Sequence, residues 1–212
     1  MYIMITDRCN MKCSHCCYSC AEDGQDMPME TFIKACQLAE RNGDMIIFGG
    51  GEPTLHPLFW QFFGIGMKYS ALTGVKMWLA TNGSRVNDTL ALAALAYDGV
   101  LEVSLSYDDY HDKSMVDERV IEAFSGIGRT FADSRQVHGV SLPSATGRAI
   151  DWGKSYCACE NWVINPNGDI FPCGCRLNSI GNINSLENPE LDWELRRCTR
   201  FGYAHLADYM LP

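Results

Sequence analysis

From residue 1 to about residue 142, short apolar runs alternate with helical segments, and this alternation constrains the fold more than any other feature. The runs are YIMI (2–5), MIIFGGG (45–51), VKMWLATNG (75–83), VLEVSLS (100–106) and QVHGVSL (136–142). Between them lie MPMETFIKACQLAERNG, with Pro28 near a helix start and Gly43 just past its end, and PLFWQFFGIGMKYSAL, whose Gly64 and Gly66 weaken the helical signal. NDTLALAALAYDG follows, with Asn87 or Asp88 as N-cap candidate and Gly99 as the stop, and residues 114 to 132 read as a fourth helix. Strands separated by helices are joined by right-handed crossovers, which set them parallel in one sheet.

The polar and glycine-rich stretches TDRCN, GGGEP, TNG and SYDDYH all follow strands. They therefore gather at the carboxyl ends, where parallel barrels carry their chemistry. The first stretch opens a cysteine cluster. Five of the 11 cysteines fall between Cys9 and Cys20, and five more lie between residues 150 and 212. No run of apolar residues is long enough to span a membrane, and the N-terminus lacks the pattern of a signal peptide, so the expected compartment is the cytoplasm. Structural disulfides are rare there, and the cysteines point instead to metal or redox chemistry. Cys36, on the apolar face of the first predicted helix, is the exception and reads as inert core. A hydrophobic content of 47% over 212 residues provides for one substantial domain. The net charge of −9 makes nucleic acid a poor partner.

Cys9, Cys13 and Cys16 are spaced C-x3-C-x2-C. Three thiolates on one loop can bind three irons of a four-iron cubane and leave the fourth open to a small molecule. Structural zinc normally takes two close pairs of ligands, which this spacing does not supply. CNMKCSHC, with GGGEP after the second strand and TNG after the third, resembles the radical S-adenosylmethionine superfamily.

The resemblance implies that Cys9, Cys13 and Cys16 hold a catalytic [4Fe–4S] cluster whose open iron takes the amino and carboxylate groups of S-adenosylmethionine. Reductive cleavage would then give a 5′-deoxyadenosyl radical that abstracts hydrogen from a substrate. Gly50, Gly51 and Glu52 would meet the amino group, the glycines by close approach and Glu52 as an acceptor suited to an ammonium. Asn82 either shapes a turn with Gly83 or reads a carboxylate or ribose. Ser104 and Ser106 share one face of the fourth strand, as core hydroxyls or as ligand contacts. SYDDYHD reads either as a solvated loop or as a ribose or substrate site using Asp108, Tyr110 or His111, and Asp108 ranks above His111. Arg148, in GRA after the fifth strand, either neutralises a carboxylate or closes the domain as a surface charge.

After SATGRAIDWG the alternation stops. WVINPNGDIFPC reads as two short strands around a turn at Asn165–Gly168. Cys157, Gly168 and Cys173 form C-x10-G-x4-C, which resembles the opening of the auxiliary-cluster extensions of SPASM and twitch type. The compact run of four further cysteines in the longer form is missing. That leaves one second iron–sulfur cluster, with Cys157, Cys173, Cys198 and one of Cys175 or Cys159 as ligands. A small zinc site is the rival reading, and Cys17 and Cys20 stay unassigned.

The expected architecture is α/β: a partial parallel barrel of five to six units over residues 1–149, with a cysteine-rich extension over 150–212. The expected function is radical chemistry on a substrate that a wide barrel opening allows to be a peptide, fed by an electron donor such as flavodoxin or ferredoxin. A glycyl-radical-enzyme activase, an iron–sulfur electron carrier and a zinc-binding interaction module are the alternatives. Fold and cofactor alone do not name the substrate.

Overall fold

Ile3, Met4 and Ile5 are fully buried in the first strand, β1 (Tyr2–Thr6), and the sheet grows outward from it on both sides. The computed structural model describes residues 1–128, 131–139, 145–153, 161–187, 189 and 191. On one side of β1 lie β2 (Ile46–Gly50), β3 (Met77–Thr81), β4 (Glu102–Ser106) and β5 (Arg135–His138), all parallel. On the other side β6 (Val163–Ile164) pairs parallel with β1, and β7 (Asp169–Phe171) and β8 (Gly181–Asn182) continue antiparallel. The order β5-β4-β3-β2-β1-β6-β7-β8 makes one eight-stranded sheet. The expected α/β architecture, five sequential parallel strands with crossover helices, is present. The C-terminal hairpin forms around Asn165–Gly168 as predicted, but its first strand adds to the barrel sheet directly.

The crossovers are α1 (Met29–Arg41), α2 (Phe59–Thr73), α3 (Val86–Tyr97) and α4 (Glu118–Ala123). Helix α1 buries Phe32, Ala35, Cys36 and Ala39, the spacing of one helical stripe. Phe32 stacks on Phe62 of α2 at 4.5 Å and meets Phe48 of β2 at 5.4 Å. Burying each such ring contributes roughly 1.5–3 kcal/mol. Cys36 is wholly enclosed, and burial alone pushes its thiol up to about 12, in keeping with an inert core residue. The glycines of α2 do not break it, because Gly66 is where the helix touches the sheet: a Cβ there would stand 2.9 Å from the Phe48 ring.

Two helix expectations are corrected. The N-cap of α3 is Arg85, not Asn87 or Asp88; Asp88 instead sits in the first turn and accepts from Trp60 Nε1 at 2.8 Å. The helix expected over 114–132 is a 3₁₀ turn at Lys113–Met115, capped by Asp112, followed by the six residues of α4, capped by Asp117. Ser125, Gly126 and Gly128 stop it, the glycines at φ +58° and +82°, where a helix cannot continue. The expected strand 136–142 is seen as β5 up to His138; residues 140–144 lie outside the described residues. Among the described residues no helix is long and apolar enough to cross a membrane.

Candidate active site

The carboxyl ends of β1 to β5 surround a cavity of about 550 Å³, lined by the loops that the sequence singles out. The register of β1 against β2 slips between Met4 and Thr6, and the chain leaves the sheet there into the cysteine loop. That loop is laced to itself: Asp7 N donates to Gln25 O at 3.0 Å, Cys9 N to Ala21 O at 2.8 Å, and Asp26 takes the Thr6 hydroxyl and the Arg8 guanidinium, both at 2.7 Å. Cys9, Cys13 and Cys16 all line the cavity as free thiols. Burial pushes the Cys9 thiol up to about 11 and raises that of Cys13. Cys16 is held low, first by a hydrogen bond from the Cys20 thiol and then by the Cys20 and Tyr18 amides, while the same contact and burial raise Cys20.

Arg148 does not stand free at the surface but reaches back onto the cysteine loop. Its Nε donates to Cys13 O and its Nη1 to Cys20 O, both at 2.8 Å, and its own amide donates to Cys16 O at 3.0 Å. It ties the cysteine loop to the end of the barrel, and it also lines the cavity.

The GGGE turn lines the cavity and also packs on the cysteine loop. Gly50 and Gly51 do allow a close approach, but to the cysteine loop: a Cβ on Gly50 would overlap Thr6 O, and one on Gly51 would overlap Arg8 O. Gly51 N and Glu52 N donate to those two carbonyls at 2.9 Å. The Glu52 carboxylate is fully buried in the structure and lies at the cavity lining. It accepts from Thr54 Oγ1 at 2.6 Å, Thr54 N at 3.2 Å, Thr81 Oγ1 at 2.9 Å and Asn82 N at 2.6 Å. Burial raises its carboxyl, and these donors pull it back. It thereby joins the turns after β2 and β3.

Asn82 makes its turn, with Oδ1 accepting from Ser84 N at 3.0 Å, and also reaches the cysteine loop, its Nδ2 donating to Asn10 Oδ1 at 3.1 Å and lying 4.0 Å from Cys9 Sγ. Ser104 faces the barrel interior as a satisfied core hydroxyl, accepting from Trp78 Nε1 at 3.0 Å. Ser106, two residues on, lines the cavity.

Asp108 also lines the cavity, where two histidines flank it. His111 Nδ1 lies 2.6 Å from Asp108 Oδ1, and His15 Nε2 lies 3.9 Å from Asp108 Oδ2. His15 stacks on Tyr110 at 4.9 Å, and Tyr110 meets Trp152 at 5.6 Å. Burial lowers the His15 imidazole's affinity for a proton. Sequence reasoning ranked His111 low and passed over His15 and Trp152. The available signal was a histidine set between two clustered cysteines, on the rim shared with SYDDYH. Of the C-terminal ligand candidates, Cys173 and Cys175 lie half-buried between β7 and β8, whereas Cys157, Cys159 and Cys198 lie outside the described residues.

Three soft, anionic-capable donors on one loop, turned into one cavity beside room for a small molecule, fit an iron–sulfur cluster with an open iron. Residues 3–137 match the family model described as the radical SAM superfamily. The tungsten-containing aldehyde ferredoxin oxidoreductase cofactor-modifying protein of Pyrococcus furiosus is 37% identical over 112 residues, 51% of this chain and 30% of that protein. The mycofactocin maturase MftC of Mycobacterium ulcerans is 34% identical over 109 residues, 49% of this chain and 27% of that protein. The matched stretch thus spans under a third of either relative. Among solved structures, BtrN in complex with AdoMet and 2-DOIA superposes with a TM-score of 0.67 at 16% identity, over 95% of this chain and 86% of that one, a likeness of fold.

Proposed function

The chain belongs to the radical SAM superfamily, an enzyme superfamily, and from that premise we propose that its cavity binds S-adenosylmethionine at a [4Fe–4S] cluster held by Cys9, Cys13 and Cys16. The observation that carries the reading is the convergence of these three thiols on one cavity beside the GGGE turn and Asn82. When bound, the cluster supplies the electron that opens the sulfonium of S-adenosylmethionine. The chain's own residues prepare the place. Arg148 pins the loop carbonyls, so that the thiols face the cavity. Glu52 locks the turns after β2 and β3. Asn82 spans from the second of these turns to the cysteine loop, and Asp108 with His15 and His111 presents polar atoms to whatever occupies the far wall.

We assign the substrate to a precursor undergoing maturation, with a peptide as the first candidate. Support comes from the names of two relatives, a cofactor-modifying protein and a maturase, and from the breadth of the cavity. A flavodoxin or ferredoxin is the assigned electron donor. Residues 1–149 form the catalytic core in this reading, and 150–212 form an extension holding a second iron–sulfur cluster through Cys157, Cys173, Cys198 and either Cys175 or Cys159.

The test is anaerobic reconstitution followed by incubation with S-adenosylmethionine and dithionite. The wild type should form 5′-deoxyadenosine and Cys13→Ala should not. A colourless, zinc-loaded protein would favour the interaction module, and a brown protein that forms no 5′-deoxyadenosine would favour the electron carrier. For the second site, a Cys9/Cys13/Cys16 triple-alanine variant should retain about four irons, as one cubane requires. Zinc in their place would overturn that assignment.

A further inference from the structure

The carbonyls of the cysteine loop are held by the C-terminal part of the chain, Cys13 O and Cys20 O by Arg148 and Tyr18 O by Arg176 Nη2 at 3.0 Å. One of its sulfur atoms is met by a different element, the turn after β3. Asn82 Nδ2 stands 4.0 Å from Cys9 Sγ, at the outer reach of an N–H···S contact. Both residues are buried, and both line the cavity. The backbone of Asn82 is fixed at this place. Its amide donates to Glu52 Oε2 at 2.6 Å, and Gly83 closes the turn at a φ of +77°, which glycine adopts without strain.

Which end of the Asn82 side chain faces the sulfur follows from its neighbours. The Ser84 amide can only donate, and it points at Asn82 Oδ1 from 3.0 Å, so the other end is Nδ2. The Ser84 hydroxyl fills the second lone pair of Oδ1 at 2.6 Å. That hydroxyl accepts in turn from Asn10 Nδ2 at 2.8 Å, and Asn10 Oδ1 accepts from Asn82 Nδ2 at 3.1 Å. The three side chains thus close a ring in which each donates to the next and accepts from the one before. The ring uses one hydrogen of Asn82 Nδ2, and the other is left for Cys9 Sγ. A buried N–H is costly to leave unmade, and the sulfur is the acceptor that this geometry supplies.

We infer that Asn82 is a hydrogen-bond donor to the cluster ligand Cys9, that Ser84 and Asn10 are the positioning residues that aim it, and that the contact raises the potential at which a cluster there accepts its electron. This rests on the cluster reading given under Proposed function. Hydrogen bonds to cluster-bound sulfur are among the factors that set reduction potential, because they stabilise the more negative, reduced state. All four hydrogen-bonding places of the Asn82 side chain are then taken within the protein. Asn82 therefore shapes its turn and addresses the sulfur, and the carboxylate and ribose of S-adenosylmethionine are read by other residues.

The experiment is a potentiometric titration of the reconstituted wild type, Asn82→Ala and Ser84→Ala, followed by EPR of the signal that changes on adding S-adenosylmethionine. Calorimetry of S-adenosylmethionine binding to the oxidised proteins accompanies it. In Asn82→Ala the reduction equilibrium should shift about threefold against the reduced cluster, roughly 28 mV for one electron. Affinity for S-adenosylmethionine should stay at the wild-type value. Ser84→Ala keeps the donor and the Ser84 amide but loosens the aim, so its potential should fall by less. An unchanged potential in a fully loaded Asn82→Ala variant overturns the role. A fall in affinity overturns it as well, since Asn82 would then be a contact of S-adenosylmethionine. Should Asn82→Ala fail to load, Ser84→Ala decides: a lowered potential supports the role and a wild-type potential overturns it. A wild type with no reducible signal that responds to S-adenosylmethionine would instead overturn the cluster reading.

Discussion

The loop after β1 turns its sulfur atoms into the cavity and ties its carbonyls back to Arg148 and Arg176, whereas the turn after β2 keeps its one charged group, Glu52, buried among donors from its own scaffold. The two stand side by side, joined through Gly51 N and Glu52 N. In one, reactive groups await a partner from outside; in the other, every atom of the carboxylate is matched from inside. A polar residue in a motif on an active-site rim can thus be a ligand contact or a rivet, and only the count of its hydrogen bonds separates the two.

Breaking the first loop should have the larger effect. Cys13→Ala should reduce 5′-deoxyadenosine formation to background and lower the iron and sulfide content, measured after identical reconstitution. Next, Glu52→Ala would leave the Thr81 hydroxyl and the Asn82 amide buried without an acceptor, at a cost of about 3 kcal/mol in urea unfolding. If Glu52 were instead a ligand contact, stability would hold and only affinity for S-adenosylmethionine would fall, and the contrast between the loops would collapse. Arg148→Ala sits between the two regions, removing charged donors from Cys13 O and Cys20 O. It should cost about 1.5–3 kcal/mol and also reduce cluster loading. The smallest effect belongs to a region remote from both. Asp117, capping α4 and paired with Arg119, has its carboxyl held down to about 2 by that guanidinium and the Arg119 amide. Its folded pKa lies below the unfolded value of about 3.9, so its contribution is present above that value and is lost as pH falls toward the folded one. Asp117→Asn should therefore lower Tm slightly at pH 7 and by much less at pH 2.

The period and punctuation of the chain made most of this legible. The runs at 2–5, 45–51, 75–83 and 100–106 carry strands because short apolar runs, nearly continuous in burial except in β3, are bounded by turns. The helix expected over 114–132 was drawn too long, because Val120 and Phe124 carry a helical spacing that Ser125 and Gly126 end within two residues. The junction of β6 with β1 was out of reach, since Val163 and Ile164 bear no mark of which edge they join. Among the rim residues, the cysteines were legible because spacing on one loop implies proximity. The roles of Glu52, Arg148 and Arg176 were not, because each depends on partners far along the chain, such as Thr81 for Glu52 and Cys13 for Arg148.

That distance along the chain sets a timetable. Strand β1 is laid down early, yet β6 on its other side, together with Arg148 and Arg176, follows about 140 to 170 residues later. At about 5–20 residues per second, ribosomal synthesis needs on the order of ten seconds to deliver them. For that interval the five thiols from Cys9 to Cys20 hang on an undocked loop, exposed to oxygen and stray metal. On the proposed reading, assembly of a cluster on this loop would be pushed toward the close of translation, with the nascent loop kept reduced or the iron handed over only once the hairpin has locked in place.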